Sequence, residues 1–370
     1  MPLFLEIFRS VPDPRAENVR YELIEVLFIA FVSVLCGARC CTEMAEFGES
    51  KQAFFRKFLE LKHGIPSHDV FSAVFRRLNA KALEKAFRRF MQAFASALLP
   101  VTSSKVRRKI VAIDGKALKR AYDKGKSSAP RLMVSAFATG IRMTLTALEA
   151  KDGNEVEAAL EILGLIDLKG SIVTGDALHC NRRMAKAVIA QGADYVFTLK
   201  GNQDSLLSDA RARLAKEGKN APVAETNDKG HGRIESRRAV VVGAEDLGEY
   251  HEFTGLKAFG YIESIREIDG KRQAETRFFA LSKKFKPGEL LHIVREHWQI
   301  ENGQHWHLDV VLREDDMRTR KDHGPANIAV LRRLALNVVR ADPSKGSLSA
   351  KIKRAGWNEN FLLKLLGQTR

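Results

Sequence analysis

Apolar residues recur at helical spacing from Tyr21 to Leu35 and from Phe71 to Leu99, so the first hundred or so residues read as helical. The stretch from Ile65 to Phe71 looks like a helix start, with Ser67 in the N-cap place. Short helices of this kind suit either a plain bundle or a DNA-reading helix-turn-helix. From Lys105 onward the period shortens. Lys109–Ile113, Leu132–Thr139 and Met143–Leu148 read as three strands separated by turns that contain Gly and Lys. Then Glu155–Leu165 predicts a helix, Ser171–Thr174 a strand, Arg182–Ala190 a helix and Tyr195–Leu199 a strand. Three strands followed by alternating helix and strand imply a mixed α/β sheet. The polar stretch 201–230 reads as a loop or insertion, and 234–243 and 258–281 return to β-like alternation. Pro287 opens a long helix from Gly288 to about Leu308, and 325–340 and 347–367 read as helical. No internal repeat is visible.

Composition narrows the class. The chain has 370 residues, of which 45% are hydrophobic, enough for two or three domains. Collagen-like and disordered classes are excluded, and so is a small disulfide scaffold, because four Cys are spread over a long chain. The longest apolar run, Leu23 to Cys36, contains Glu25 and falls short of the roughly 20 residues that span a bilayer. It does not read as a signal peptide, so a reducing cytoplasm is expected, with no membrane partner. Cys36, Cys40 and Cys41 lack zinc-finger spacing and are expected as buried free thiols, with Cys180 structural.

Charge changes the picture more. Lys and Arg number 61 against 45 Asp and Glu, a net +16. That excess suits a polyanion such as nucleic acid, or merely a basic surface. It is unevenly placed: Lys105 to Arg131 holds ten basic and two acidic residues, half of the total excess. This basic segment brackets an apolar strand that ends in Asp114.

Three acids stand apart. Asp114 ends the strand in VAIDGK, Asp176 ends the strand in IVTGDALHC, and Glu301 lies in HWQIENGQHW on the long helix. An acid at a strand end is often a turn or cap residue. Two at equivalent places in neighbouring strands, with a third on a later helix, point to a shared cation site. Mg²⁺ takes one or two carboxylates together with substrate phosphates. His297, Glu301 and His305 lie on one helical face, where zinc could bind, but no HExxH string is present. Asp309, Glu314, Asp315 and Asp316 are competing acids.

At these residues the chain resembles the DDE transposases of bacterial insertion sequences, in the group of H-repeat-associated proteins. The resemblance is carried by GIPSHDVF, VAIDGKALKR, LMVSAFAT, LKGSIVTGDALHC, DYVFTLKGNQ, REHWQIENGQHWHLDVVLREDDMR and NIAVLRRLALNVVR, which run in order through to Arg340. It implies an RNase H-like (retroviral-integrase-like) α/β catalytic domain over 105–340 with a β-rich insertion at about 201–286. A helical N-terminal domain, 1–104, would precede it and a helical tail, 341–370, would follow. It also implies that Asp114, Asp176 and Glu301 are the catalytic triad and hold Mg²⁺, with Mn²⁺ as an alternative. Many related transposases carry Tyr, Arg and Lys around the Glu. Here those places hold Val294, His297 and Leu308, so the DNA-contact roles of those three do not transfer.

The expected activity is cleavage at insertion-sequence ends and joining of the freed 3′-OH to target DNA by two-metal phosphoryl transfer. A decayed or domesticated DNA binder, or a metal-dependent nuclease, are the alternatives. The expected partner is double-stranded DNA, both terminal inverted repeats and target, bound by a homodimer and associated with the nucleoid. Lys105, Arg107, Arg108, Lys116, Lys119 and Arg120 are candidates to neutralise phosphates beside the triad. Lys200 and Asn202, at a strand end, and His297 and Trp298, beside the Glu, are further candidate DNA contacts, the Trp through base stacking.

Overall fold

The computed structural model describes residues 2–15, 19–98, 109–122, 129–230, 233–268 and 271–367. Its centre is a nine-stranded sheet. The strands are β1 (Ile110–Leu118), β2 (Arg131–Ala138), β3 (Met143–Glu149), β4 (Ile172–Gly175), β5 (Asp194–Leu199), β6 (Val223–Gly230), β7 (Arg233–Gly243), β8 (Ala258–Ile268) and β9 (Lys271–Leu281). They lie in the order β3-β2-β1-β4-β5-β9-β8-β7-β6. β1, β2 and β3 form an antiparallel meander, whereas β4 and β5 run parallel to β1. This is the expected RNase H-like arrangement. The segment between β5 and the later helices adds to the same sheet, because β9 pairs antiparallel with β5.

Strand alternation sorts β1 between two cores. Val111 and Ile113 enter a core built with helices Glu155–Leu165, Arg182–Ala190 and Asp204–Glu217. Ile110 packs on the other face with Ile172, Val196 and the helix Pro287–His297. A larger core joins the N-terminal helices Leu23–Leu35, His68–Arg77 and Ala80–Leu98 to the helix Gly324–Ala341 and to Leu118, Met133 and Met143 of the meander. Helix Leu23–Leu35 is buried along its whole length and packs directly on Gly324–Ala341. Its all-round apolar character therefore marks a central helix of this core. No helix among the described residues is long and apolar enough to cross a membrane.

Several elements differ from the sequence reading. The polar stretch after β5 holds a 14-residue helix, Asp204–Glu217, and a strand, not a loop. Its buried Leu206, Leu207, Ala210 and Leu214 form a narrow helical stripe that the surrounding charge conceals. The apolar run that begins at Phe71 is two helices, His68–Arg77 and Ala80–Leu98, broken near Asn79, and Leu99 lies outside the described residues. Ser67 occupies the N-cap place but makes no side-chain cap bond. The C-terminal stretch is also two helices, Leu348–Trp357 and Glu359–Gly367, whose Ile352, Leu362, Leu365 and Leu366 join the large core. All four cysteines are free, but only Cys180 is fully buried; Cys36 and Cys41 are half-buried and Cys40 is exposed.

Phe28 is fully buried in this shared core, with ring neighbours Phe4, Phe55 and Phe58. Phe28→Ala should destabilise the chain by about 3–5 kcal/mol in urea denaturation. Because the N-terminal and C-terminal helices share the core, they should unfold in one transition. A separate early transition of the N-terminal helices would contradict that continuity.

Candidate active site

The pairing of β1 with β4 puts the two aspartates side by side. Ile110, Val111 and Ala112 pair with Ile172, Val173 and Thr174. The same register carried two residues further brings Asp176, just past the carboxyl end of β4, level with Asp114, which lies midway along β1 and not at its end as expected, because β1 runs on to Leu118 beside β2. Ligands of open α/β sheets bind at such ends. Both aspartates line a cavity of about 130 Å³ that is also lined by Glu301, His297, Trp298, Lys200 and Arg277. The three acids singled out in the sequence therefore open onto one space.

Glu301 arrives by a different route from the one expected. The helix Pro287–His297 does not continue unbroken to Leu308. It passes into a π-helical turn, Ile300–His305, before a short α-helix, Trp306–Val310. A π turn adds a residue to the helical repeat and re-aims the side chains that follow. Ile300 anchors it, fully buried against Ala112 and Phe137. Gln304 donates to Ser135 Oγ at 3.1 Å, and Ser135 stands opposite Asp114 in the β1–β2 register. His305 Nδ1 lies 3.7 Å from Asp114 Oδ2. His297 shares a 2.9 Å hydrogen bond with Thr174 Oγ1.

The carboxylates differ in environment. Burial, and then the negative charges of Asp176 and Glu155, push the Asp114 carboxyl up to about 7; Glu301 adds to the rise and His179 opposes it. Burial also raises Glu301, against the pull of Arg277. For Asp176 burial acts upward, but hydrogen bonds outweigh it and the carboxyl sits below its ordinary value. Its Oδ1 accepts from the His179 ring at 2.8 Å and from the backbone N–H groups of Leu178 and His179 at 3.0 and 3.3 Å. Burial drives His297 down to about 4 and His305 down to about 3, so both rings are neutral at pH 7.

This donor set suits a hard cation. The acids that line the cavity supply oxygen, and mutual repulsion leaves Asp114 short of positive charge. Among the described residues no three acidic, histidine or cysteine side chains stand close enough to bind one ion together. Mg²⁺ needs no such closed cage, since it keeps waters and uses one or two carboxylates. A zinc cage on His297, Glu301 and His305 has no support in this geometry. The competing acids are engaged elsewhere. Lys116 Nζ lies 2.6 Å from Asp309, 3.0 Å from Asp315 and 3.6 Å from Glu314. Glu314 also pairs with the fully buried Arg333 at 3.0 Å, and Asp316 pairs with Arg313 at 3.0 Å.

The candidate DNA contacts scatter. Lys116, expected at a phosphate, is instead buried, because Ala112, Asp114 and Lys116 share one strand face and that face turns toward the acids of 309–315. Lys119 is exposed but paired with Asp315 at 2.6 Å, and Arg120 is exposed. Lys105, Arg107 and Arg108 lie outside the described residues. Lys200 is exposed at the cavity edge. Asn202 donates to the Ala177 carbonyl at 2.7 Å, bracing the turn after Asp176. His297 and Trp298 line the cavity, and the Arg277 guanidinium lies 4.7 Å from the Trp298 ring centre. Three residues here escaped the sequence reading: Glu155, His179 and Arg277. His179 carried a signal, standing three residues after Asp176 in GDALH. Glu155 and Arg277 carried none, since only the tertiary fold brings them in.

The family described as Transposase DDE domain matches residues 105–338, and the family described as DDE_Tnp_1-associated matches residues 5–91. The "H repeat-associated putative transposase YhhI" of Escherichia coli strain K12 is 28% identical, over 98% of this chain and 97% of its own length. The "Putative transposase YncI" of Escherichia coli O157:H7 is 31% identical, over 98% and 94%. A piggyBac transposase synaptic complex with hairpin DNA aligns over 99% of this chain and 76% of that chain, at 12% identity and a TM-score of 0.41.

The repulsion at Asp114 has a pH signature. Below pH 3.8, its ordinary value, the carboxyl is protonated in both folded and unfolded chains. As pH rises toward about 7 the unfolded chain ionises first, so the metal-free fold loses stability across that window. Asp114→Asn removes the penalty. It should stabilise the metal-free protein by about 2–4 kcal/mol at pH 8 and much less near pH 4. Thermal unfolding in EDTA at both pH values checks this, and an equal effect at the two would contradict it.

Proposed function

The chain belongs to the Transposase DDE domain family, and we propose that it cuts DNA at insertion-sequence ends and joins the freed 3′-OH to a target strand. The single observation that carries this reading is that Asp114, Asp176 and Glu301, from β1, the end of β4 and the π turn, line one cavity. Phosphodiester chemistry asks a protein mainly for positioning and charge stabilisation. Asp114, Asp176 and Glu301 would hold Mg²⁺ or Mn²⁺. Such an ion supplies Lewis-acid polarisation of the phosphodiester oxygens and a more nucleophilic water or hydroxyl at neutral pH.

The chain's own residues supply the rest. Three N–H donors occupy Asp176 Oδ1, and the residue itself lines the cavity. Arg277 and Lys200 put positive charge at the cavity wall, where a phosphate would lie. His297 is held neutral and tied to Thr174, which suits a wall residue more than a phosphate ligand. Trp298, with Arg277 over its face, offers a flat surface for a base. In this reading the DNA is double-stranded, with terminal inverted repeats and a target site, and two copies of the chain bring two ends together. Lys105, Arg107, Arg108, Lys119 and Arg120 would track the phosphates beside the cavity, without reading sequence.

The test is purified full-length protein with labelled DNA carrying the flanking inverted repeats, in Mg²⁺. End cleavage and joined products are expected. Asp114→Ala, Asp176→Ala and Glu301→Ala should each lower cleavage by about 10³-fold or more, a loss of several kcal/mol of charge stabilisation, while DNA binding persists. Binding with no cleavage in either metal would overturn the reading in favour of a DNA binder. Cleavage without joined products would reduce it to a nuclease.

Binding itself should weaken steeply with salt, with a log–log slope near 0.9 per neutralised phosphate. Reversing the charges of Lys105, Arg107, Arg108, Lys119 and Arg120 should flatten that slope. An unchanged slope would place the DNA track elsewhere.

A further inference from the structure

Two glycines flank the aspartates, and each marks a place where another side chain presses on the backbone. Gly115 follows Asp114. A Cβ there would lie 2.5 Å from Glu155 Oε1. Gly175 precedes Asp176. A Cβ there would lie 2.7 Å from the Cβ of His179. By strand alternation both glycines face away from the side of Asp114 and Thr174, toward the core that holds the helix Glu155–Leu165.

Glu155 and His179 meet behind the sheet edge. Glu155 opens its helix, and its carboxylate lies against the backbone of Gly115. Its Oε1 lies 3.6 Å from His179 Nε2. His179 is fully buried, and its Nδ1–H donates to Asp176 Oδ1 at 2.8 Å. The buried Nε2 has no hydrogen-bond partner among the described residues and faces Glu155. A continuous path therefore runs from the backbone beside Asp114, through Glu155 and His179, to the carboxylate of Asp176. Helix Glu155–Leu165 and the turn after β4 both contribute to it, so it couples elements that sheet pairing alone leaves independent.

We propose that Glu155 and His179 are positioning residues that fix the separation and orientation of Asp114 and Asp176 from behind. This rests on the reading of those aspartates as the pair that holds the divalent ion. Neither Glu155 nor His179 is among the side chains that line the cavity. Their effect is to keep Asp176 Oδ1 occupied and Asp114's strand end in register. Groups that orient a metal-holding side chain typically cost 10–100-fold in metal affinity or activity when removed. The glycines follow from the same arrangement, since any side chain at either place would push the path aside.

Mn²⁺ alone is the probe, added to the full-length protein without DNA, with bound ion read by electron paramagnetic resonance. Glu155→Ala should weaken Mn²⁺ binding about 10–100-fold. Glu155→Gln, which keeps a side chain of the same shape against Gly115 and a polar oxygen toward His179, should recover most of it. Gly115→Ala leaves every acid in place but displaces the Glu155 carboxylate, and should copy Glu155→Ala. All three should keep the wild-type circular dichroism spectrum and a cooperative unfolding transition without metal. If Asp114→Ala abolishes Mn²⁺ binding while Glu155→Ala and Gly115→Ala bind as wild type, the positioning role is wrong and the metal assignment stands. If Asp114→Ala binds Mn²⁺ as wild type, the metal assignment fails and the positioning role with it. A loss in Glu155→Ala matched by an equal loss of folded protein, with Gly115→Ala unaffected, would reduce Glu155 to a structural residue.

Discussion

Like charges held in a shared, partly buried cavity are the constraint around which this molecule is arranged. The parallel register of β1 and β4 leaves no choice about Asp114 and Asp176: the strands that build the core also bring Asp114, midway along β1, level with Asp176, just past the end of β4. Adjacent strands lie about 4.8 Å apart, and at that separation two carboxylates in a low dielectric repel strongly. The fold answers unequally. Asp176 is given three N–H donors and stays ionised, whereas Asp114 receives none of these and absorbs the repulsion as a raised proton affinity. One acid is thereby compensated by the protein's own donors, and the other carries its charge less readily.

A second set of charges, close behind, has the opposite character. Lys116, Asp309, Glu314, Asp315 and Arg333 pair with one another in a largely buried network. Arg333 also donates to Ser135 Oγ, as Gln304 does. The network therefore joins β1, β2, the π turn and the helix Gly324–Ala341 at one point. Buried ion pairs are poor sources of net stability, because desolvation offsets much of the attraction. Their geometry is restrictive, however, and here the restriction falls on the π turn that presents Glu301. The large core shared by the N-terminal helices and Gly324–Ala341 holds the far end of this arrangement, so stability generated remotely from the cavity steadies a region that repulsion weakens.

Legibility in the sequence followed the range of the forces involved. The strands β1 to β5, the helix Glu155–Leu165 and the three acids all showed locally, because strand alternation and an acid beside an apolar run need only near neighbours to be seen, although β1 runs past Asp114 to Leu118, where its pairing with β2 continues. The mixed sheet followed from their order. What failed was what depends on distant partners. Lys116 looked like part of a basic surface, since nothing nearby in the chain reveals that acids nearly 200 residues later will cover it. The π turn left no mark in a pattern that continued at nearly helical spacing. The helix Asp204–Glu217 was hidden because its apolar stripe is narrow and its other faces are charged. Glu155 was read only as a helix-starting acid, which it also is.

The same distinction clarifies the basic segment. Half of the chain's excess charge lies between Lys105 and Arg131, yet those charges do not share one fate. Lys116 is consumed inside the protein, Arg131 pairs with Glu149, and Lys119 is matched by Asp315. A count of charge along the sequence therefore overstates the charge free to meet a polyanion. The cavity itself adds cations from elsewhere: Arg277 comes from β9, a strand the sequence reading assigned to an insertion, and Lys200 from the end of β5. Because β9 pairs with β5, that added sheet reaches the wall beside the aspartates. A strand that both extends the sheet and delivers a guanidinium to the carboxylate cavity is tied to the site's electrostatics, so its length and register are constrained by the chemistry as much as by packing.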